Sequence, residues 1–295
     1  MNVLTCSITQ TGAAVARRLP YPHHHGDLVA TVAMRWADTD ALVLVGATGI
    51  AVRAIAPLLA NKAADPAVVC VDDAARWVIA LTGGHRRGAN DLAREVAALL
   101  GAEAVVTTAT DAAGIPALDT LPGFTPAGDI ASVTRRWLDG VAPTVAVDPA
   151  LAGWPQPAGL AAGDGPVFVT DRREPPPPGS VSLRPRSLVV GLGASSGADP
   201  ARLHDLVHAV LDAAGLHPDA VGAVATIEAK RHEPAIVAMA EELQVALRPF
   251  PPEALAAIAA PNPSAVVAAA VGTASVAEAA ALLAAGPGAT LVVPK

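Results

Sequence analysis

Short apolar runs alternate with amphipathic stretches along the first third of the chain. Val3–Thr9, Ala41–Val45, Ala67–Val71, Trp77–Leu81 and Ala104–Thr107 read as strands. Gly12–Leu19, Ile50–Ala60 and Asn90–Leu100 read as helices. In the last of these, Leu92, Val96, Leu99 and Leu100 recur at the spacing of one helical face. Such alternation predicts an α/β fold whose parallel sheet is covered on both faces. Ligands of such a sheet sit at the carboxyl ends of its strands. Three loops are expected there: Gly46-Ala-Thr-Gly49, Thr82–Gly88 and Thr108–Pro116.

The pattern changes between about 120 and 186. This stretch is rich in proline and glycine and runs through Pro175-Pro-Pro-Pro178, with short apolar runs at Thr144–Val147 and Val167–Thr170. It reads as a small, irregular α/β segment followed by a stiff linker. From 187 the alternation resumes. Ser187–Gly193 is a strand entering a glycine turn, and Leu203, Leu206, Val207, Val210 and Leu211 mark one face of the following helix. Val221–Ile227 is a strand, Pro234–Leu243 a helix and Val245–Leu247 a short strand. Helices near Pro263–Val271 and Ser275–Ala285 precede a closing strand, Leu291–Val293. The expected architecture is two parallel-sheet α/β domains, 1–120 and 187–295, joined by a small Pro/Gly-rich middle segment, 121–186.

Composition narrows the function. The chain has 295 residues and is 52% hydrophobic, enough to bury a real core. Aromatics at 3% exclude a stacking surface for single-stranded nucleic acid, and a net charge of −7 argues against nucleic-acid binding in general. An anionic substrate would need locally clustered arginines and lysines. Cys6 and Cys70 lie in separate apolar runs, with neither a disulfide framework nor zinc spacing, which fits a reducing, cytoplasmic location. The N-terminus lacks a basic segment followed by a long apolar core, so no signal peptide is expected. The most apolar stretch, Ala265–Gly286, contains Gly272, Thr273, Ser275 and Glu278 and reads as a pair of soluble helices rather than a membrane span.

The strongest candidate for chemistry is Leu81-Thr-Gly-Gly-His-Arg-Arg-Gly-Ala-Asn-Asp-Leu-Ala93, a glycine-rich loop running from a strand into a helix. Glycines let backbone approach a ligand closely, and the free N–H groups of a helix start favour anions. His85 in this loop is a candidate acid, base or donor; read structurally, it is a surface histidine in a capping loop. Thr107-Thr-Ala-Thr-Asp111 brings hydroxyls and a carboxylate to a strand's end, to bind substrate or orient water, or to satisfy its own backbone. Gly191-Leu-Gly-Ala-Ser-Ser-Gly197 resembles a phosphate-binding turn but departs from G-x-G-x-x-G. Lys230-Arg-His-Glu233 concentrates charge after a strand, and Pro234 then suits a helix's first turn. Ser275-Val-Ala-Glu278 has the spacing of a capping box. His204 and His208, spaced i, i+4 beside Asp205 and Asp212, read as a solvated face, and His23-His-His25 as a flexible loop. No protein metal site is expected.

Taken in order, these motifs resemble the CbiG proteins of cobalamin biosynthesis. The N-terminal block is Thr48-Gly-Ile-Ala-Val-Arg-Ala-Ile-Ala-Pro-Leu-Leu59, Lys62, Asp65–Val69, the Gly-Gly-His loop with Gly88-Ala-Asn90, Thr107–Asp111 and Asp119. The C-terminal block is Gly191-Leu-Gly193, Lys230 with Glu233-Pro234, Val271-Gly272, Ser275–Leu282 and Val293-Pro-Lys295. Two departures stand out: Arg87 where the family usually has glycine, and Ala194-Ser195 where it often has cysteine and a basic residue.

The resemblance implies a cobalt-precorrin-5A hydrolase, which opens a δ-lactone on the macrocycle and releases acetaldehyde. It implies no cofactor, since the cobalt arrives inside the tetrapyrrole substrate. Other cobalamin-pathway enzymes are the implied partners. His85 would do acid–base work, with Thr108 and Asp111 beside it and Thr107 orienting lactone or water. Arg53, Lys62, Arg86, Arg87, Lys230 and Arg231 would meet peripheral carboxylates. Thr48, Gly49, Gly83, Gly84, Asn90, Glu233 and Glu278 complete the implied substrate-binding set. Two other readings follow from the same resemblance. One is a non-catalytic module that binds a corrinoid intermediate, as a stand-alone relative of the C-terminal domain is thought to do. The other is the front half of a fusion with precorrin-3B methyltransferase, no part of which lies in these residues.

Overall fold

A computed structural model describes residues 1–62 and 64–295, apart from the side chain of Ala270. Its contacts group the chain into two compact units, 1–120 and 121–295.

The first unit runs β1 (Val3–Ser7), α1 (Gln10–Ala16), β2 (His23–His25), α2 (Leu28–Arg35), β3 (Ala41–Val45), α3 (Thr48–Ile55), β4 (Ala67–Val71), β5 (Trp77–Thr82), α4 (Ala89–Leu100), β6 (Glu103–Val105) and α5 (Ala109–Ala113). Its six strands form one sheet in the order β2-β1-β3-β4-β5-β6. β3 and β4 are buried at every residue, which is why both are unbroken apolar runs. Val15 and Ala16 of α1 and Leu92, Val96 and Leu100 of α4 pack on one face. Leu28 and Val32 of α2 and Ala51, Ala54 and Ile55 of α3 cover the other. Leu99, expected on the buried face, is exposed.

The sheet is not uniformly parallel. β1 to β4 run together, but β5 returns antiparallel to β4, and β6 runs parallel to β5. Asp72 makes the reversal local: its Oδ1 accepts the backbone N–H groups of Arg76 and Trp77, both at 2.7 Å. The carboxyl ends of β5 and β6 therefore lie on the opposite edge from those of β1 to β4. This corrects the expectation that the three glycine- and threonine-rich loops share one edge. His23–His25 is a strand rather than a loop. It pairs with β1 at the sheet margin, where one side of a strand stays wet, and Ser7 Oγ meets His23 Nε2 at 2.8 Å and His25 Nδ1 at 3.1 Å.

The second unit begins with β7 (Phe124–Gly128), α6 (Ile130–Leu138), β8 (Thr144–Val147), β9 (Ala161–Ala162), β10 (Pro166–Val169) and β11 (Val181–Pro185). These strands form a sheet in the order β7-β11-β10-β8-β9, with β7 antiparallel to β11. Pro175–Pro178 lies in the connection between β10 and β11. The chain continues through β12 (Leu188–Gly191), α7 (Pro200–Ala213), β13 (Val221–Ile227), α8 (Pro234–Glu242), β14 (Ala246–Phe250), α9 (Pro252–Ala256), α10 (Ala265–Val271) and α11 (Ala277–Ala285). β12, β13 and β14 form a parallel three-stranded sheet. α7 and α8 pack on one face through Leu203, Val207, Leu211, Ile236 and Met239, and α9 and α11 on the other through Leu255, Ala279 and Ala280. Leu206 and Val210 of α7 are exposed, so the buried stripe is narrower than expected.

Two further expectations are corrected here. Leu291–Val293 is not a strand. Ser275 and Glu278 do not form a capping box: α11 starts at Ala277, Ser275 Oγ is buried without a hydrogen-bond partner, and Glu278 turns to other groups. Gly191 is demanded by packing. A Cβ there would sit 1.9 Å from the Ala277 carbonyl oxygen, so α11 can approach β12 only over a glycine.

Candidate active site

β5 ends at Thr82 and delivers the glycine-rich loop across the start of β4. Gly83 has φ +81°, and a Cβ on it would lie 2.9 Å from Ala67 Cα, so glycine is required twice over. Gly88, also at φ +81°, caps α4. The loop closes on itself, with Arg87 N donating to Gly83 O at 3.0 Å and Asn90 N to Gly84 O at 3.2 Å. Several N–H groups at the start of α4 are thus already used. The anion affinity expected of this helix start is correspondingly reduced.

The closed loop presents His85 to the turn after β6. His85 Nε2 lies 2.8 Å from Thr110 Oγ1 and 2.9 Å from Asp111 Oδ2. Asn90, 2% exposed, donates from Nδ2 to both Thr108 Oγ1 and Asp111 Oδ2 at 3.0 Å. Thr108 also donates its hydroxyl to Asp111 Oδ2, and Arg94 grips Asp111 Oδ1. Thr108 is held close to the loop, because a Cβ at Gly84 would be only 3.0 Å from Thr108 Cγ2. The structure therefore joins His85, Asn90, Thr108 and Asp111, with Gly83 and Gly84 as the backbone that lets them meet.

Thr110, one of the hydroxyls of the Thr107–Asp111 run, belongs to this cluster, and so does Arg94, which no motif marks. Arg94 follows Asn90 by one helical turn, a spacing that could have flagged it. Thr107 is exposed and outside the hydrogen-bonded group.

The cluster is electrostatically biased. Burial pushes the Asp111 carboxyl up, but hydrogen bonds from Thr108 and Arg94 and the charges of His85 and Arg94 outweigh it, leaving Asp111 below the usual carboxylate range. A carboxylate kept ionised beside an imidazole orients the ring and stabilises its charged form. With His85 donating from Nε2 to Asp111, the lone pair of the neutral ring falls on Nδ1. Among the described residues nothing is hydrogen-bonded to Nδ1, and the side chain is 23% exposed. That arrangement suits a base or acid for a group reaching it from solvent.

The remaining residues of the first unit are spread out. Thr48 and Gly49 follow β3, on the opposite sheet edge from His85, and Arg53 bends back to the Gly49 carbonyl at 3.1 Å. Lys62 and Arg86 are exposed. Arg87 donates from Nε to the Asp65 carbonyl at 3.1 Å, so the arginine that departs from the family pattern ties its loop to the segment before β4. Arg87 also lines a cavity of about 410 Å³ with Trp36, Asp38, Asp40 and Asp65. His85 does not line it, and its carboxylates make it a poor host for a polyanion. The His85 cluster, with its chemistry, is the better candidate site.

Lys230, Glu233 and Glu278 belong to the second unit. Lys230 Nζ contacts Ser196 Oγ at 2.7 Å and Glu233 Oε2 at 3.1 Å, and Glu233 Oε1 accepts the Gly197 N–H at 2.8 Å. The Lys230 ammonium holds the Glu233 carboxyl below its usual range. A carboxylate of the chain itself thus already occupies the Gly191–Gly197 turn, at the place where a phosphate-binding turn would take its anion. Arg231 pairs with Glu228. Glu278, 3% exposed, accepts from the backbone N and Nδ2 of Asn262 and from Lys295 N, at 2.7–2.9 Å. His204 and His208 both face Glu242 Oε1, at 3.2 and 2.8 Å. No helix among the described residues is long and apolar enough to cross a membrane.

Comparison with known proteins agrees with these motifs. A family described as cobalamin synthesis G N-terminal matches residues 30–111, and one described as cobalamin synthesis G C-terminus matches 188–295. A cobalt-precorrin-5A hydrolase of Salmonella typhimurium is 32% identical over 257 residues, 78% of this chain and 71% of that protein. One of Priestia megaterium is 29% identical over 268 residues, 82% of this chain and 72% of that protein. A solved cobalamin biosynthesis protein G homolog from Sulfolobus solfataricus aligns with 99% of this chain and 92% of its own at 22% identity, with a TM-score of 0.41.

Proposed function

The chain belongs to the cobalamin synthesis G (CbiG) family, and from that premise we propose that it is a cobalt-precorrin-5A hydrolase. It would open the δ-lactone of the cobalt-containing tetrapyrrole and release the two-carbon unit as acetaldehyde. Its place is in the early-cobalt, anaerobic route. Water adds to the lactone carbonyl and the ring C–O bond breaks, giving a carboxylate and a free hydroxyl. Loss of the hydroxyl proton then lets the adjoining C–C bond break, with the electron pair passing to the macrocycle. The cobalt is part of the substrate, and the chain needs no cofactor of its own for either step.

The His85–Asp111 pair carries the reading. Hydrolysis needs a base for water, and carbon–carbon cleavage needs a base for the hydroxyl. An imidazole braced at Nε2 and open at Nδ1 can serve both, with Asp111 stabilising the imidazolium between proton transfers. Arg86, exposed on the same loop, is suited to a peripheral carboxylate of the substrate.

The test is incubation with cobalt-precorrin-5A under anaerobic conditions while trapping volatile aldehyde. Stoichiometric acetaldehyde supports the assignment. Tight binding of the substrate with no aldehyde would instead make the chain a corrinoid-binding module.

A further inference from the structure

The second unit holds a buried arginine that no carboxylate pairs with among the described residues. Arg184 lies within β11 and is 3% exposed, and its Nε is buried without a hydrogen-bond partner. Among the described residues no carboxylate is within ion-pair distance of its guanidinium. Asp219 acts on it only at longer range and sits 3.5 Å from His217 Nδ1. Burial accordingly pushes the Arg184 pKa down, and Arg184 in turn helps to lower that of His217, after burial itself. Guanidinium groups are almost never buried unpaired.

Arg184 lines a cavity of about 470 Å³ together with Arg173, His217, Ser180, Asp129 and the Pro175–Pro178 wall. Arg173 adds a second cation, partly offset by Asp212 at 2.5 Å. We propose that this cavity is an anion-binding site that takes a carboxylate group, with Arg184 as its anchor. The planar fork of a guanidinium matches the two oxygens of a carboxylate. Asp129 argues for a singly charged ligand group. It caps α6 by accepting the Ser132 N–H at 3.1 Å, so the helix start that would favour a phosphate dianion already faces a carboxylate. Given the reading above, on which this last step rests, the occupant in the cell is a peripheral carboxylate of the tetrapyrrole. The middle of the chain, outside both matched family segments, would then hold part of the substrate.

The test uses the full chain and two probes, succinate and inorganic phosphate, at matched ionic strength, read by thermal shift and calorimetry. Succinate should stabilise the wild type more than phosphate does. Arg184→Met should lose at least tenfold in succinate affinity while remaining folded, since an apolar side chain suits a buried position. Should that variant not fold, Asp129→Asn keeps a good cap and should bind succinate severalfold more tightly. Equal shifts in the wild type and both variants would overturn the proposal, and so would an Arg184-dependent preference for phosphate. Acetaldehyde release is measured separately, so an inactive protein that still binds succinate through Arg184 counts against the hydrolase reading alone. An active one with no such binding counts against the cavity alone.

Discussion

His85 Nε2 and Asp111 Oδ2 face each other at 2.9 Å, because β5 and β6 run parallel and end side by side on one sheet edge. If His85 is the base, His85→Ala should lower acetaldehyde release by about 10²–10⁴. Asp111→Asn keeps the shape but loses the charge that steadies an imidazolium, and should also cost turnover. The two act as a unit, so the double variant should be little worse than His85→Ala alone. Multiplicative losses would show that they act separately.

Asn90 holds the cluster from inside. Its amide donates to two acceptors while almost fully buried. Asn90→Ala should cost about 1–3 kcal/mol in denaturant unfolding. A change within a few tenths would mean that water replaces the amide at no cost.

The pH dependence has a definite sign. The folded Asp111 pKa is held below the ordinary value of 3.8, so the unfolded chain takes up this proton first as pH falls. The stabilisation is complete above the unfolded value and is lost as pH falls through the folded one. Below about pH 4 the stability difference between wild type and Asp111→Asn should narrow as pH falls. A difference that grows on acidification contradicts the assignment.

Gly191→Ala should destabilise the second unit by about 1–3 kcal/mol, because its methyl group would meet the Ala277 carbonyl. The first unit, which lacks this contact, should keep its amide-exchange protection. Uniform loss across both units would indicate a different origin.

Glu278→Ala should leave Asn262 and Lys295 without their shared acceptor. Faster amide exchange at Lys295 and in the loop around Asn262, with α7 unaffected, is the expected result. Unchanged exchange would mean that other contacts hold the C-terminal segment.

The elements buried on both faces were legible before any coordinates. Ala41–Val45 and Ala67–Val71 are unbroken apolar runs because no side chain in them meets water, Val221–Ile227 is apolar but for the buried Thr226, and the bounds of all three match the strands residue for residue. α4 was legible because its stripe follows the helical period. His85, Asn90, Thr108 and Asp111 stood out by residue type and by resemblance.

Direction and partnership were not legible. An apolar run reports that a strand is buried, not which way it points, and only the β4–β5 pairing separates Thr48 and Gly49 from the His85 edge. Arg94 is marked in the sequence only by its one-turn spacing from Asn90, and Arg184 is not marked at all. One becomes part of a site because α4 lays it against Asp111, the other because β11 carries it away from water with no counter-ion among the described residues. Periodicity records how much of each residue is buried. What a charged group meets once it is buried depends on chain segments far away in sequence, and folding alone brings those together.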